Sequence, residues 1–262
     1  MIKVKTYTNG EGTHISTIDS YLAWTEMTKE MRLNDAKMLY DEDGACAYCH
    51  GAMELNTKEF GKMRCICQLA PKELQMEKTI AQYSDMHPPK SMTDLKIWGD
   101  TNSRRDISDL KKLISKWKQN PDKWITLMGL PGCGKTHVLQ SLDTYFHPWS
   151  LYVTTMNLES RFYQALDDNS LPELIDAIKR VPILLLDDLG SDYGKDYVKA
   201  NIRKIIDFRY SLWQEFPTVV ATNYWAREIK DKYDPRIGDR LLDHHIAHVI
   251  ELEVESWRVN HD

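Results

Sequence analysis

Gly129-Leu130-Pro131-Gly132-Cys133-Gly134-Lys135-Thr136 stands between an apolar run, Trp124–Met128, and a stretch carrying Val138, Leu139, Leu142, Tyr145 and Phe146. The run before it reads as a short buried strand, and the stretch after it as a helix over Lys135–Phe146. The octapeptide fits G-x-x-x-x-G-K-T. Glycines let the backbone curl until successive N–H groups point inward at phosphate oxygens. The helix that starts here aims its positive end at the same place. Gly129, Pro131, Gly132, Cys133 and Gly134, with His137 just beyond, are therefore the candidate ATP-binding loop. Lys135 is set to reach the β and γ phosphates, and the Thr136 hydroxyl to ligate Mg2+. A chance glycine turn is the bland alternative; the strand before and the helix after argue against it.

Roughly fifty residues downstream, Ile183-Leu184-Leu185-Leu186 ends in Asp187-Asp188. Ligands of open parallel sheets sit at that edge of the strands. Asp187 is the candidate magnesium ligand, directly or through water, and Asp188 the candidate base for the attacking water. Acidic residues at a strand end are common, and only the upstream loop gives this pair weight. Asn223 follows another predicted strand, Thr218–Thr222, and is placed to touch a γ-phosphate or the water from the side. Arg236 and Arg240 are four apart and share a face if Pro235 starts a helix. An arginine reaching a γ-phosphate stabilises transition-state charge and can come from a neighbouring subunit. A surface salt-bridge face is the alternative for this pair, and Arg258 has the same ambiguity.

Apolar strands alternate with amphipathic helices throughout this region. Asp106–Trp117 carries Ile107, Leu110, Leu113, Ile114 and Trp117 on one face. Further strands are expected at Leu151–Thr155, Pro182–Asp187 and Ile246–Val254, and helices around Leu158–Leu166 and at Val198–Trp213. The pattern predicts an α/β fold, a parallel sheet flanked by helices. The pair Pro88-Pro89 interrupts helical patterning on both sides. It suggests an N-terminal module over 1–90 and a main domain over 91–262. In the first module Trp24, Met27, Met31 and Met38 make a helical stripe, read as core or a partner-helix face, and a helix is expected from Pro71 to Tyr83.

The 262 residues are 42% hydrophobic and 28% charged, with a mean hydropathy of −0.52. That composition excludes collagen-like, disordered and secreted disulfide-scaffold classes. The N-terminus has no apolar signal-peptide run and no stretch is long enough to span a bilayer. A cytoplasmic protein with no membrane partner is expected. A net charge of −5 argues against strong duplex binding through bulk charge.

Four of the five cysteines form Cys46-x-x-Cys49 and Cys65-x-Cys67. Paired chelating cysteines on two turns suit a tetrahedral structural Zn2+, the metal replacing a core that so short a segment cannot build. His50 is able to substitute for one thiolate. Disulfides are disfavoured in the cytoplasm, and a redox pair would want a βαβ context.

From about Met92 to Asp262 the chain resembles the AAA+ ATPases of the DnaC/DnaI helicase-loader and IstB transposition-helper group. The resemblance rests on Gly129–Thr136 with His137, Leu185-Leu186-Asp187-Asp188-Leu189-Gly190, Ala221-Thr222-Asn223, Arg236-Ile237-Gly238-Asp239-Arg240-Leu241 and Glu255-Ser256-Trp257-Arg258. It implies a P-loop AAA+ sheet, with Asn223 as sensor 1, Arg240 as the arginine finger and Arg258 as sensor 2. Most AAA+ proteins have Glu where Asp188 stands, so slow or partner-stimulated hydrolysis is expected. The implied function is ATP-dependent loading of a replicative hexameric helicase onto DNA by a homo-oligomer joined through the ATP site, with single-stranded DNA as a further partner. The N-terminal module would bind the helicase. An IstB-like transposition helper is the nearest alternative; a small-molecule P-loop kinase and a nucleotide-gated adaptor are more distant ones.

Overall fold

The computed structural model describes residues 78–191 and 196–257, residue 76, and four short strands nearer the N-terminus. The chain divides into two compact units, Met1–Lys78 and Thr79–Asp262. In the first, β1 (Tyr7–Asn9) pairs antiparallel with β2 (Gly12–His14), and β3 (Glu54–Thr57) with β4 (Gly61–Arg64). The β3–β4 register sets Glu54 opposite Arg64. Trp24, Met27, Met31, Met38, His50 and the four paired cysteines lie outside the described residues.

The second unit holds a five-stranded parallel sheet in the order β6-β7-β8-β5-β9. Its strands are β5 (Trp124–Gly129), β6 (Ser150–Thr154), β7 (Ile183–Leu189), β8 (Thr218–Thr222) and β9 (Ala247–Leu252). Every residue of β5 and β8 is buried, because helices cover both faces. Those helices are α1 (Thr101–Gln119), α2 (Lys135–Phe146), α3 (Thr155–Asp167), α4 (Leu171–Arg180) and α5 (Asp196–Ser211). A helical turn at Ala226–Glu228 runs into a π turn, Ile229–Tyr233, and α6 (Pro235–Leu241) follows. Among the described residues no helix is long and apolar enough to cross a membrane.

Local chemistry explains the ends. Asp100 caps α1 by accepting the Ser103 N–H at 2.8 Å, which satisfies one of the free first-turn donors. Ile107, Leu110, Ile114 and Trp117 then form its buried face. Asp234 caps α6 through the N–H groups of Arg236 and Ile237, and Pro235 occupies its first turn. Trp213, expected inside α5, falls beyond its end at Ser211.

Two features depart from the sequence reading. The second unit begins at Thr79, ahead of the expected 90/91 division. Residues 79–90 belong with the sheet because Ile80 is buried and Asp85 N–H donates to Tyr152 O at 2.7 Å. Strand β7 does not stop at Asp187: it continues to Leu189, with its register against β8 slipping between Leu186 and Leu189. Asp188 sits in that bulge with φ 52°, a left-handed conformation uncommon outside glycine.

Candidate functional site

The loop at the end of β5 is shaped for an anion. Gly132 has φ 84°, and a Cβ there would lie 2.2 Å from Ser256 Oγ, so only glycine fits. Gly134 is the N-cap of α2 and brings no capping side chain. The first-turn amides of α2 are thus left for a ligand. Cys133 is buried beneath the loop.

Lys135 is buried and its ammonium is turned onto the loop itself. Nζ donates to Gly129 O at 2.7 Å, Leu130 O at 3.0 Å and Asn223 Oδ1 at 2.9 Å. The last contact joins two elements far apart in sequence, since β5 and β8 run side by side with Met128 opposite Thr222. A phosphate entering the loop would replace these neutral acceptors with a charged one, a stronger partner for an ammonium.

Asp187 is fully buried. One carboxylate oxygen accepts the Asp188 N–H at 2.9 Å and the other the Tyr152 hydroxyl at 2.9 Å. The Thr136 hydroxyl lies near enough to favour the charged form of this carboxylate. A hydroxyl and a carboxylate near one another beside a phosphate loop fit magnesium, a hard cation that takes oxygen ligands and keeps several waters. The bulge turns Asp188 into the cleft, which it lines together with Lys135, Thr136 and Asn223. Bulges commonly re-aim a side chain at a functional site in this way.

The cleft has a volume of about 520 Å³, within the usual range for small-ligand sites. Pro131, Gly132, Gly134 and His137 also line it, and so do Trp98 and Trp257, whereas Gly129, Cys133 and Asp187 do not. Trp98 donates through Nε1–H to Glu255 O at 2.9 Å, Trp257 N–H donates to Gly132 O at 3.1 Å, and the two rings meet edge-on at 5.2 Å. His137 reaches Ser91 O at 2.8 Å. Trp98, Tyr152 and Gln140 carried no motif signal.

Arg240 does not line the cleft. Its Nε lies 2.5 Å from Asp207 Oδ1 in the same chain, out of line for a hydrogen bond but within ion-pair reach, and its guanidinium covers the Tyr210 ring at 5.0 Å. Arg236 is exposed. Arg258 and the four paired cysteines lie outside the described residues. Among the described residues no three His, Cys, Asp or Glu side chains cluster as a metal site.

Burial first, and then the charge of Asp188, push the Asp187 carboxyl above its usual range; the Tyr152 hydroxyl, the nearby Thr136 hydroxyl and the Asp188 N–H oppose the shift. A carboxyl whose folded pKa is raised binds a proton more readily when folded, so its presence as an anion costs stability, and stability recovers as pH falls through that range. Asp187→Asn is therefore expected to melt about 2–4 °C higher than the wild type without ligands, on the order of 1 kcal/mol for a domain of this size. Thermal melts in the absence of nucleotide and magnesium check it.

The chain matches the family described as IstB-like ATP binding protein over residues 68–262. It is 22% identical to the replicative helicase loader DnaI of Bacillus subtilis (strain 168), an alignment covering 87% of this chain and 83% of that protein. The crystal structure of DnaI superposes with a TM-score of 0.52 at 23% identity, over 64% of this chain and 95% of that one. AMPPCP-bound DnaA from Aquifex aeolicus gives 0.53 at 21% identity, over 64% of this chain; the match spans about half of the DnaA chain, 51%. These likenesses show the fold, a parallel sheet flanked by helices. The phosphate loop and the match over residues 68–262 together place the chain in the family of IstB-like ATP binding proteins.

Proposed function

We propose that this protein is a magnesium-dependent ATPase that loads a replicative hexameric helicase onto DNA. The similarity to DnaI carries this reading. It extends over 87% of the chain, too far to lie within residues 68–262 alone, so it takes in part of the N-terminal unit as well as the nucleotide site. A transposition helper that serves a transposase would share the engine, and the same experiment separates the two.

In this reading the loop amides and Lys135 bind the triphosphate, and Thr136 and Asp187 hold magnesium. Held there, magnesium would supply positive charge against the negative charge that develops on the phosphates. Asp188 orients the attacking water and takes its proton. Asn223, already on Lys135, stands beside the γ-phosphate. Arg240 of an adjoining copy completes the site, and Arg258 serves as sensor 2. Hydrolysis switches the oligomer between states that hold and release helicase and single-stranded DNA. The short arm of Asp188 suits slow basal turnover that the partner or DNA accelerates.

A zinc ion on Cys46, Cys49, Cys65 and Cys67 is proposed to build the N-terminal unit. The spacing supports it, since Cys46-x-x-Cys49 and Cys65-x-Cys67 are two chelating pairs of the kind that suit a tetrahedral metal. Elemental analysis of the purified protein is expected to find one zinc per chain; none would remove the site.

The test of function is co-purification with a hexameric helicase and, in parallel, with a transposase. Retention of the helicase alone is expected. Lys135→Ala is expected to weaken nucleotide binding by about 100-fold, because a charged hydrogen-bonding partner of the phosphates is lost. Retention of the transposase instead would overturn the loader reading while sparing the ATP site.

A further inference from the structure

Tyr152 takes no part in the chemistry above, yet it touches the centre of it. The residue is buried on β6, and its hydroxyl donates to Asp187 Oδ2 at 2.9 Å. Gln140 Nε2 donates to the same hydroxyl at 3.4 Å, so the phenol proton is directed toward the carboxylate. The other carboxylate oxygen is taken by the Asp188 N–H. Those two bonds hold both oxygens of the carboxylate, and the Thr136 hydroxyl lies near enough to act on the same group.

The ring is braced from behind. His87 meets it edge-on at 5.0 Å and is itself held by Asp143 Oδ2 at 3.0 Å and Pro88 O at 2.9 Å. The backbone of Tyr152 is clasped by the same segment: its N–H donates to Ser84 Oγ at 3.2 Å, and its carbonyl accepts the Asp85 N–H at 2.7 Å. An apolar ring would fill this space equally well. A buried hydroxyl spent on a carboxylate has a directional role that an apolar ring lacks.

We propose that Tyr152 is a positioning residue for magnesium, its hydroxyl locking the Asp187 carboxylate toward Thr136 while His87 braces the ring. The proposal rests on the reading of the cleft as a magnesium–ATP site. Groups that orient a metal ligand commonly change metal affinity by about 10–100-fold when removed.

The test uses the full chain and a fluorescent ATP analogue, titrated in EDTA and then with increasing magnesium. Tyr152→Phe is expected to bind the analogue in EDTA as the wild type does, and to need about tenfold more magnesium for the magnesium-dependent gain. Its turnover is expected to recover at high magnesium. In an Asp187→Asn background the same change is expected to add nothing, because it acts through that carboxylate. An unchanged magnesium requirement, or an equal loss of affinity with and without magnesium, would overturn the role. Should Tyr152→Phe fail to fold, His87→Ala is substituted; a raised magnesium requirement supports the proposal and an unchanged one overturns it. A wild type that ignores magnesium altogether would instead bring down the site reading, and Tyr152's role with it.

Discussion

Arg240→Ala is expected to lower ATP turnover about 10³-fold or more and to leave nucleotide affinity within about threefold, because only transition-state charge is lost. The reasoning is geometric. Arg240 stands on α6 beside Asp207 and Tyr210 and does not line the cleft of its own chain, so on the proposed reading it acts on the neighbour's phosphate. Its ion pair with Asp207 joins side chains that are 28% and 37% exposed. A pair that open to water contributes about 1 kcal/mol or less, so a triphosphate across an interface competes readily for the guanidinium. Mixing gives a sharper readout than the single variant. Arg240→Ala and Lys135→Ala are each expected to be inactive alone. A one-to-one mixture that exchanges subunits should recover about a quarter of wild-type activity, the share of random interfaces with both residues intact. No recovery on mixing, or an Arg240→Ala variant that is fully active by itself, would exclude the trans role; Arg236→Ala run alongside shows whether its exposed neighbour serves instead.

Arg209→Met is expected to cost the fold about 3–5 kcal/mol and to lower the melting temperature by about 10 °C or more. Arg209 is fully buried, and among the described residues none of its hydrogen bonds goes to a carboxylate. Its guanidinium donates instead to the Thr218 hydroxyl and to the carbonyls of Ile178, Lys179, Val181 and Pro217 at 2.8–3.5 Å. Two of those carbonyls are in the last turn of α4, where the helix dipole favours a cation. Burial pushes its pKa down to about 9, still above neutral, so the charge persists. Methionine fills much of the volume but leaves these acceptors buried without donors, at about 1–3 kcal/mol for each one that water cannot reach. Arg209→Lys should lose less, since an ammonium still carries three donors. A methionine variant that melts with the wild type would show that the acceptors find water.

The fold was legible where apolar period and loop chemistry agreed. The bounds expected for Thr218–Thr222 and Lys135–Phe146 match the structure, because turn or glycine signals bound a continuous buried run in the first and an apolar helical face in the second. Helix α4 escaped the reading, although Pro172 in its first turn is a start signal and Leu174, Ile175 and Ile178 form its buried face; a ten-residue helix gives that pattern little room to repeat. The bulge at Asp188 was not readable either, since nothing in Leu186-Asp187-Asp188-Leu189 specifies a left-handed residue. Of the site, the phosphate loop and the acidic pair were visible because each demands particular residue types at close spacing. Tyr152, Trp98 and Gln140 were not, because any buried strand carries aromatics and only the three-dimensional register discloses which hydroxyl meets which carboxylate.

Because β6 closes one side of the sheet, Ser84 and Asp85 do the work of a cover strip along it, and Asp85 adds an ion pair with Arg161 at 2.6 Å. A fragment trimmed to start at Met92, the cut that the two prolines invite, would bare a ribbon of unpaired amides and carbonyls, the kind of border on which foreign strands stack and proteins clump. One trimmed to start at Thr79 would keep that border sealed and stay dispersed.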